Sequence, residues 1–126
     1  MTQKKETTQT RSNEDEVVRA FITLGLNEKQ ARILTFTLQH NGGVTQHEME
    51  RKLDLRQPEV SMGLGPLLEQ HWIKIVDRIR MQDGRSRPVN IYAPGKSKQE
   101  IVGDLELAFQ QRCNQIRQSL AIIAKA

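Results

Sequence analysis

The chain has 126 residues, 37% of them hydrophobic and 27% charged, with a formal net charge of +4 and a single cysteine, Cys113. That length suits one domain with appended elements rather than two independent ones, and one cysteine excludes an internal disulfide or a thiolate metal cluster. The basic balance favours a polyanionic partner without proving one, while neither an apolar leader nor a run of about 18 apolar residues is present, so a cytoplasmic protein is expected.

Residues 1–12 are polar and rich in Thr, Gln and Lys, which predicts a disordered tail. Lys4, Lys5 and Arg11 could touch phosphate as an N-terminal arm, the alternative being a merely solubilising segment. Asn13 with Glu16 predicts a helix cap, and Val17, Val18, Phe21, Ile22 and Leu24 form an apolar stripe that Gly25 ends. Asn27 with Gln30 starts a second helix, buried through Ala31, Leu34 and Leu38 and stopped at Asn41-Gly42-Gly43. Thr45 with Glu48 caps a short third helix carrying Met49 and Leu53. After the turn Asp54-Leu55-Arg56-Gln57, with Leu55 as its apolar plug, Pro58 opens a fourth helix (58–71) with Val60, Leu64, Leu67 and Leu68 inward.

From Trp72 the period changes. Ile73, Ile75 and Ile79 alternate with Lys74, Arg78 and Arg80, as in a strand with one face buried. The Asp83-Gly84 turn then leads into a return strand with Val89, Ile91 and Tyr92. Ser97 and Glu100 cap a last helix of about 28 residues, roughly 40 Å at 1.5 Å per residue. Val102, Leu105, Phe109, Ile116, Leu120 and Ile123 fall on one stripe of it at three-, four- and seven-residue steps. A small domain cannot cover so long a stripe, which predicts a homodimer built on these six residues.

The fold class predicted is mostly α with a small β-hairpin: a winged helix-turn-helix over 13–95, then a long C-terminal dimerisation helix over 96–126. Between Trp72 and Lys98 seven basic residues stand against two acids, and the rest of the chain is close to neutral. The basic wing (78–88) therefore carries the expected backbone contacts to double-stranded DNA: Arg78, Arg80, Arg85, Ser86 and Arg87, supported by Thr45, Arg51 and Lys52. A solvated surface hairpin is the alternative reading of the tip.

The run LGLNEKQARILTFTLQHNGGVTQHEMERKLDLRQPEVSMGLGPLLEQHWIKI, followed by DGRSRPVNIYAP, resembles TrmB-type winged-helix regulators, mostly archaeal, and more loosely MarR-type ones. The resemblance covers about Val17 to Pro94. It rests on Leu24-Gly25-Leu26-Asn27 with Ala31-Arg32, on Gln57-Pro58-Glu59-Val60-Ser61, and on Gly84 to Tyr92. It implies dimeric, sequence-specific DNA binding and transcriptional regulation, with Arg56, Gln57, Glu59, Ser61 and Met62 reading bases in the major groove. Gln pairs bidentately with adenine, Glu accepts from a cytosine amino group, and Arg takes guanine or phosphate. For Gln57 and Ser61, capping and turn formation are the other reading.

The fourth helix departs from that pattern in two ways. It holds no Lys or Arg, and Gly63, Gly65 and Pro66 are expected to bend or break it near Gly65, leaving a reading segment of 58–64. Enzymatic chemistry is not expected. His40, His47 and His71 lie in separate elements without ligand spacing, and no phosphate-cradling loop or nucleophile motif occurs, so no metal or cofactor is implied. Cys113 reads as a packing residue, with an oxidant sensor as the alternative. A small-molecule effector is not expected, since it would have to use the dimer interface. A protein-interaction winged helix in a transcription or other assembly, and a nonspecific DNA binder, are the competing functional classes.

Overall fold

The computed structural model describes residues 2–40, 42–80 and 88–126, the side chains of 2–12 excepted. Helix α1 spans Thr2–Thr23. This corrects two expectations: Asn13 is an interior helical position instead of a cap, and the stretch predicted to be disordered has a helical backbone from Thr2 onward. No Gly or Pro interrupts the chain before Gly25, and Lys4, Lys5 and Glu6 are good helix formers. The helix ends where the sequence says it should. Gly25 adopts φ +114°, Leu26 N donates to Phe21 O and Gly25 N to Ile22 O, both at 3.1 Å, satisfying the last carbonyls in a Schellman arrangement.

Helix α2 (Glu28–Gln39) begins with the predicted box: Gln30 N donates to Asn27 Oδ1 at 2.8 Å, and Asn27 N donates to Gln30 Oε1 at 3.1 Å. Its buried face holds Ala31, Ile33, Leu34, Thr35 and Thr37. The two threonines are accommodated because each hydroxyl donates to the carbonyl four residues back, Thr35 to Ala31 at 2.7 Å and Thr37 to Ile33 at 2.8 Å. Leu38, expected in that face, is only half-buried.

A strand absent from the sequence reading follows. Strand β1, Val44–Thr45, pairs antiparallel with β3 (Val89–Pro94), which in turn pairs with β2 (Ile73–Ile79), giving a three-stranded sheet in the order β1-β3-β2. Helices α3 (Gln46–Leu53) and α4 (Gln57–Glu69) lie between β1 and β2 in the chain. Phe21, Leu26, Ile33, Leu34, Val44, Met49, Val60, Leu64, Leu67, Trp72, Ile73 and Tyr92 are the large members of the buried core of residues 1–96. At about 1.5–3 kcal/mol per fully buried aliphatic or aromatic side chain, burial of this set is the main term opposing chain entropy.

Residues 97–126 form a separate compact unit. It is one helix, α5 (Lys98–Lys125), opened by the predicted Ser97 and Glu100 box. Ile101 and Leu105 are buried. Val102, Phe109, Ile116, Leu120 and Ile123 are exposed, Ile123 at 71%. Among the described residues no helix is long and apolar enough to cross a membrane.

Candidate nucleic-acid interface

The short third helix is closed at its start by Thr45 and Glu48. Glu48 N donates to Thr45 Oγ1 at 3.1 Å, and Thr45 N donates to Glu48 Oε1 at 3.2 Å. It stops at Asp54, whose left-handed backbone (φ 54°) reverses the chain, while Leu55 N donates to Glu50 O at 3.0 Å. Leu55 is half-buried in the turn, as a plug would be. The Arg32 guanidinium of α2 donates to the Leu53 carbonyl and ties the end of α3 to α2.

Helix α4 then presents Val60, Gly63, Leu64 and Leu67 inward, at steps of three, one and three residues that keep to one helical face. Gly63 has a packing role: a Cβ there would come within 2.6 Å of Ile33 Cδ1, so a larger residue would require the buried Ile33 side chain to shift. The predicted break at Gly65-Pro66 does not occur, and α4 continues through Pro66 to Glu69. A residue before proline is driven from helical geometry by the clash of its Cβ with the proline ring, and Gly65 has no Cβ. The helix ends two residues earlier than expected, with His71 at φ 61°. Trp72 N donates to Leu67 O and His71 N to Leu68 O, both at 3.1 Å, a second Schellman closure.

The outward face of α4 is formed by Pro58, Ser61, Met62, Gly65 and Glu69, all exposed, Met62 at 77%. Arg56 and Gln57 are exposed at its start. Glu59 is set apart from them. Its Oε1 accepts from Arg56 N at 3.0 Å and its Oε2 meets Lys29 Nζ of α2 at 2.9 Å. The Lys29 ammonium, then the Arg56 amide, hold the Glu59 carboxyl below the usual carboxylate range. Both its oxygens are thus engaged, one by the start of α4 and one by α2. Ser61 Oγ accepts from Gln46 Nε2 of α3 at 3.0 Å, a contact that no sequence pattern announced.

A cleft of about 410 Å³ separates the starts of α3 and α4 from the wing, lined by Gln46, His47, Glu50, Gln57, Asn90 and Tyr92 among others. Among the described residues Glu50 is its one acid, and it would repel a phosphate entering there. Arg51 is exposed in the last turn of α3. Lys52 lies elsewhere: it lines a different hollow with Glu14, Asp15 and Glu28, on the side of α1 and α2. Arg51 and Lys52 both also complement the negative end of the α3 dipole.

In the wing, Ile75 pairs with Tyr92 and Asp77 with Ile91, so Val76 is the extra residue of a β-bulge. The expected one-sided burial of β2 is corrected: only Ile73 is buried, Ile75, Val76 and Ile79 are 42–48% exposed, and the bulge shifts the alternation beyond Ile75. Arg78 and Arg80 are exposed beyond the bulge. Arg85, Ser86 and Arg87, with the rest of 81–87, lie outside the described residues. The wing is fastened at its base, where Gly95 N donates to Trp72 O at 2.8 Å. A Cβ on Gly95 would overlap the His71 carbonyl oxygen, so the close approach requires glycine.

No protein-family model and no curated protein matches the chain. Several solved structures resemble it. A possible transcriptional regulator from Methanosarcina mazei Go1 superposes with a TM-score of 0.64 at 18% identity over 84% of each chain. A MarR transcriptional regulator from the same organism gives 0.49 at 14% identity, over 97% of this chain and 92% of that one. MepR of Staphylococcus aureus in a complex with DNA gives 0.46 at 20% identity, over 99% and 93%. The helix-turn-helix of α3 and α4 with the three-stranded sheet and its two-stranded wing is a winged-helix fold, followed in the chain by the long helix α5, and the first of these structures shares the fold.

Proposed function

We propose that the chain is a transcriptional regulator that binds duplex DNA at specific sites as a homodimer, in the manner of TrmB-type or MarR-type winged-helix proteins. One observation carries this reading: the exposed face of α4 from Pro58 to Gly65, with Ser61 and Met62 at its centre, is built of uncharged residues, while exposed arginines stand at the helix start (Arg56) and on the wing (Arg78, Arg80). In such an arrangement α4 enters the major groove while the wing follows the backbone or minor groove. Arg56, Gln57, Ser61 and Met62 contact base edges. Glu59, whose oxygens are already engaged, fixes the start of the helix instead. Arg51, Arg78 and Arg80, with Arg85, Ser86 and Arg87 at the tip and Thr45 at the start of α3, serve the phosphates. Lys52 faces away and has no such part.

The dimer is formed along α5 by Val102, Phe109, Ile116, Leu120 and Ile123, all exposed in the single chain. Leu105 is buried already and drops out of that set. The protein acts in the cytoplasm, without an enzymatic step. Titration of a labelled random duplex, followed by selection of bound sequences from a random pool at stated salt, tests the DNA reading. Sedimentation of the chain with Leu120→Glu tests the dimer: the wild type should sediment as a dimer at micromolar concentration and the variant as a monomer.

A second reading is a protein-docking winged helix, favoured by the exposed Ile75, Val76 and Ile79 on β2, the strand at one edge of the sheet. Absence of any duplex shift at micromolar protein and low salt would select it.

A further inference from the structure

Gln46 is the first residue of α3. Its Nε2 donates to Ser61 Oγ, in the second turn of α4, at 3.0 Å. Neither helix needs this bond. The start of α3 is closed by Thr45 and Glu48, and that of α4 by the Glu59 carboxylate on the Arg56 amide. A bond between two neutral groups at the surface adds little to stability because water replaces it at small cost. Its effect is on position: it holds the Gln46 amide beside the exposed face of α4.

Donors and acceptors can be counted there. A primary amide has two N–H donors and a carbonyl acceptor, and Ser61 uses one donor. The second N–H and Oε1 of Gln46 have no partner among the described residues. Ser61, accepting through its oxygen, keeps its own hydroxyl proton to give. The pair therefore offers an acceptor and donors on one patch, and Gln57 lines the same cleft as Gln46 with a second amide. An acceptor beside a donor matches what adenine and other base-pair edges display in the major groove, whereas phosphate oxygens ask only for donors.

We propose that Gln46 is a specificity-determining residue, positioned by Ser61 and reading one base-pair edge jointly with it, so that the reading surface is built from two helices and not from α4 alone. This rests on the DNA-binding function proposed above. Neutral groups release no counterions, so their loss alters preference and leaves sequence-independent affinity in place.

The test uses the duplex that the full wild-type chain selects from a random pool, every single-base-pair variant of it, and a random duplex, all measured by fluorescence anisotropy at one salt concentration. Gln46→Ala should lose about 5- to 150-fold discrimination at one base-pair position, while binding random duplex within about twofold of wild type. Ser61→Ala should lose preference at the same position, and the double variant should be little worse than either single one. Gln46→Glu should move the preferred base at that position, since a carboxylate accepts but does not donate. Thermal unfolding of each variant separates these effects from loss of the fold. A Gln46→Ala chain that selects the wild-type sequence, or weakens on all duplexes alike, overturns the proposal, as do losses at different positions for Gln46→Ala and Ser61→Ala. A wild-type chain that shifts no duplex instead overturns the DNA-binding reading, and this one with it.

Discussion

Replacing Pro66 by alanine is expected to stabilise the chain by about 2 kcal/mol, although Pro66 is exposed. Helix α4 runs unbroken from Gln57 to Glu69 with Pro66 inside its last turn. A proline there has no N–H for the Met62 carbonyl and crowds the preceding turn, at a cost of about 3 kcal/mol relative to alanine in a helix interior. Alanine also frees the unfolded chain, which returns about 0.4–1 kcal/mol. For a chain of this size the net change corresponds to a rise of roughly 6–10 °C in Tm. Circular dichroism at fixed protein concentration measures it, the concentration mattering because self-association shifts Tm. Gly65→Ala sharpens the test. The space beyond a Cβ at Gly65 is open. In the Pro66→Ala background the added methyl should therefore contribute about 0.8–1.0 kcal/mol of helix propensity. With Pro66 present, the same methyl meets the proline ring and the gain should vanish or reverse. An unchanged or lower Tm for Pro66→Ala, or the same effect of Gly65→Ala in both backgrounds, would refute this account of why α4 stays continuous.

Three further outcomes are expected. Joint replacement of Arg78 and Arg80 by alanine should weaken binding to every duplex and reduce the slope of log K against log salt by about 1.8, or 0.9 per lost phosphate contact; an unaltered slope in a salt titration would remove the wing from the interface. The Glu59 carboxyl is held below its ordinary value of 4.5, first by Lys29 and then by the Arg56 amide. Its stabilising effect is accordingly complete above pH 4.5 and lost as pH falls through the lower folded value, so Glu59→Gln and Lys29→Met should each flatten the acid limb of urea-unfolding midpoints measured below that pH, and an identical limb in all three proteins would contradict the coupling. Gly95→Ala should lower stability by about 1–3 kcal/mol in urea unfolding, because its methyl would overlap backbone rather than a side chain that can turn away; a neutral result would mean that the wing base is looser than described.

What the sequence disclosed and what it withheld separate along physical lines. The Asn27, Thr45 and Ser97 caps, the Gly25 stop and the inward register of Val60, Leu64 and Leu67 depend on neighbours within one or two turns, and each was legible. Strand β1 has two residues, too few to display a period, and exists only because β3 returns to pair with it. The bulge at Val76 was hidden because an apolar residue on either face of a ribbon looks alike in sequence. Continuity through Pro66 depends on which residue precedes it, and glycine, a breaker by propensity, is here the one that permits the helix. In the candidate site, Gln57, Ser61 and Met62 were expected from the resemblance to winged-helix regulators, and all three are exposed. The engagement of Glu59 by Lys29, the turning away of Lys52 and the Gln46–Ser61 bond involve partners 15 or more residues apart, which no local pattern encodes.

The hydrogen bond between Gly95 and Trp72 also bears on how such a protein can change over time. By joining the two feet of the ribbon, it closes the excursion from 72 to 95 at its base. Beyond the buried Ile73 and Tyr92 near that clasp, the connection between the two strands can vary in length or charge with little consequence for the core, since doubling the length of a loop adds only about 0.6 kcal/mol of closure entropy. Insertions, deletions or exchanged arginines in the tip are then inexpensive experiments for evolution and for engineering alike, whereas a single methyl at Gly95 is not.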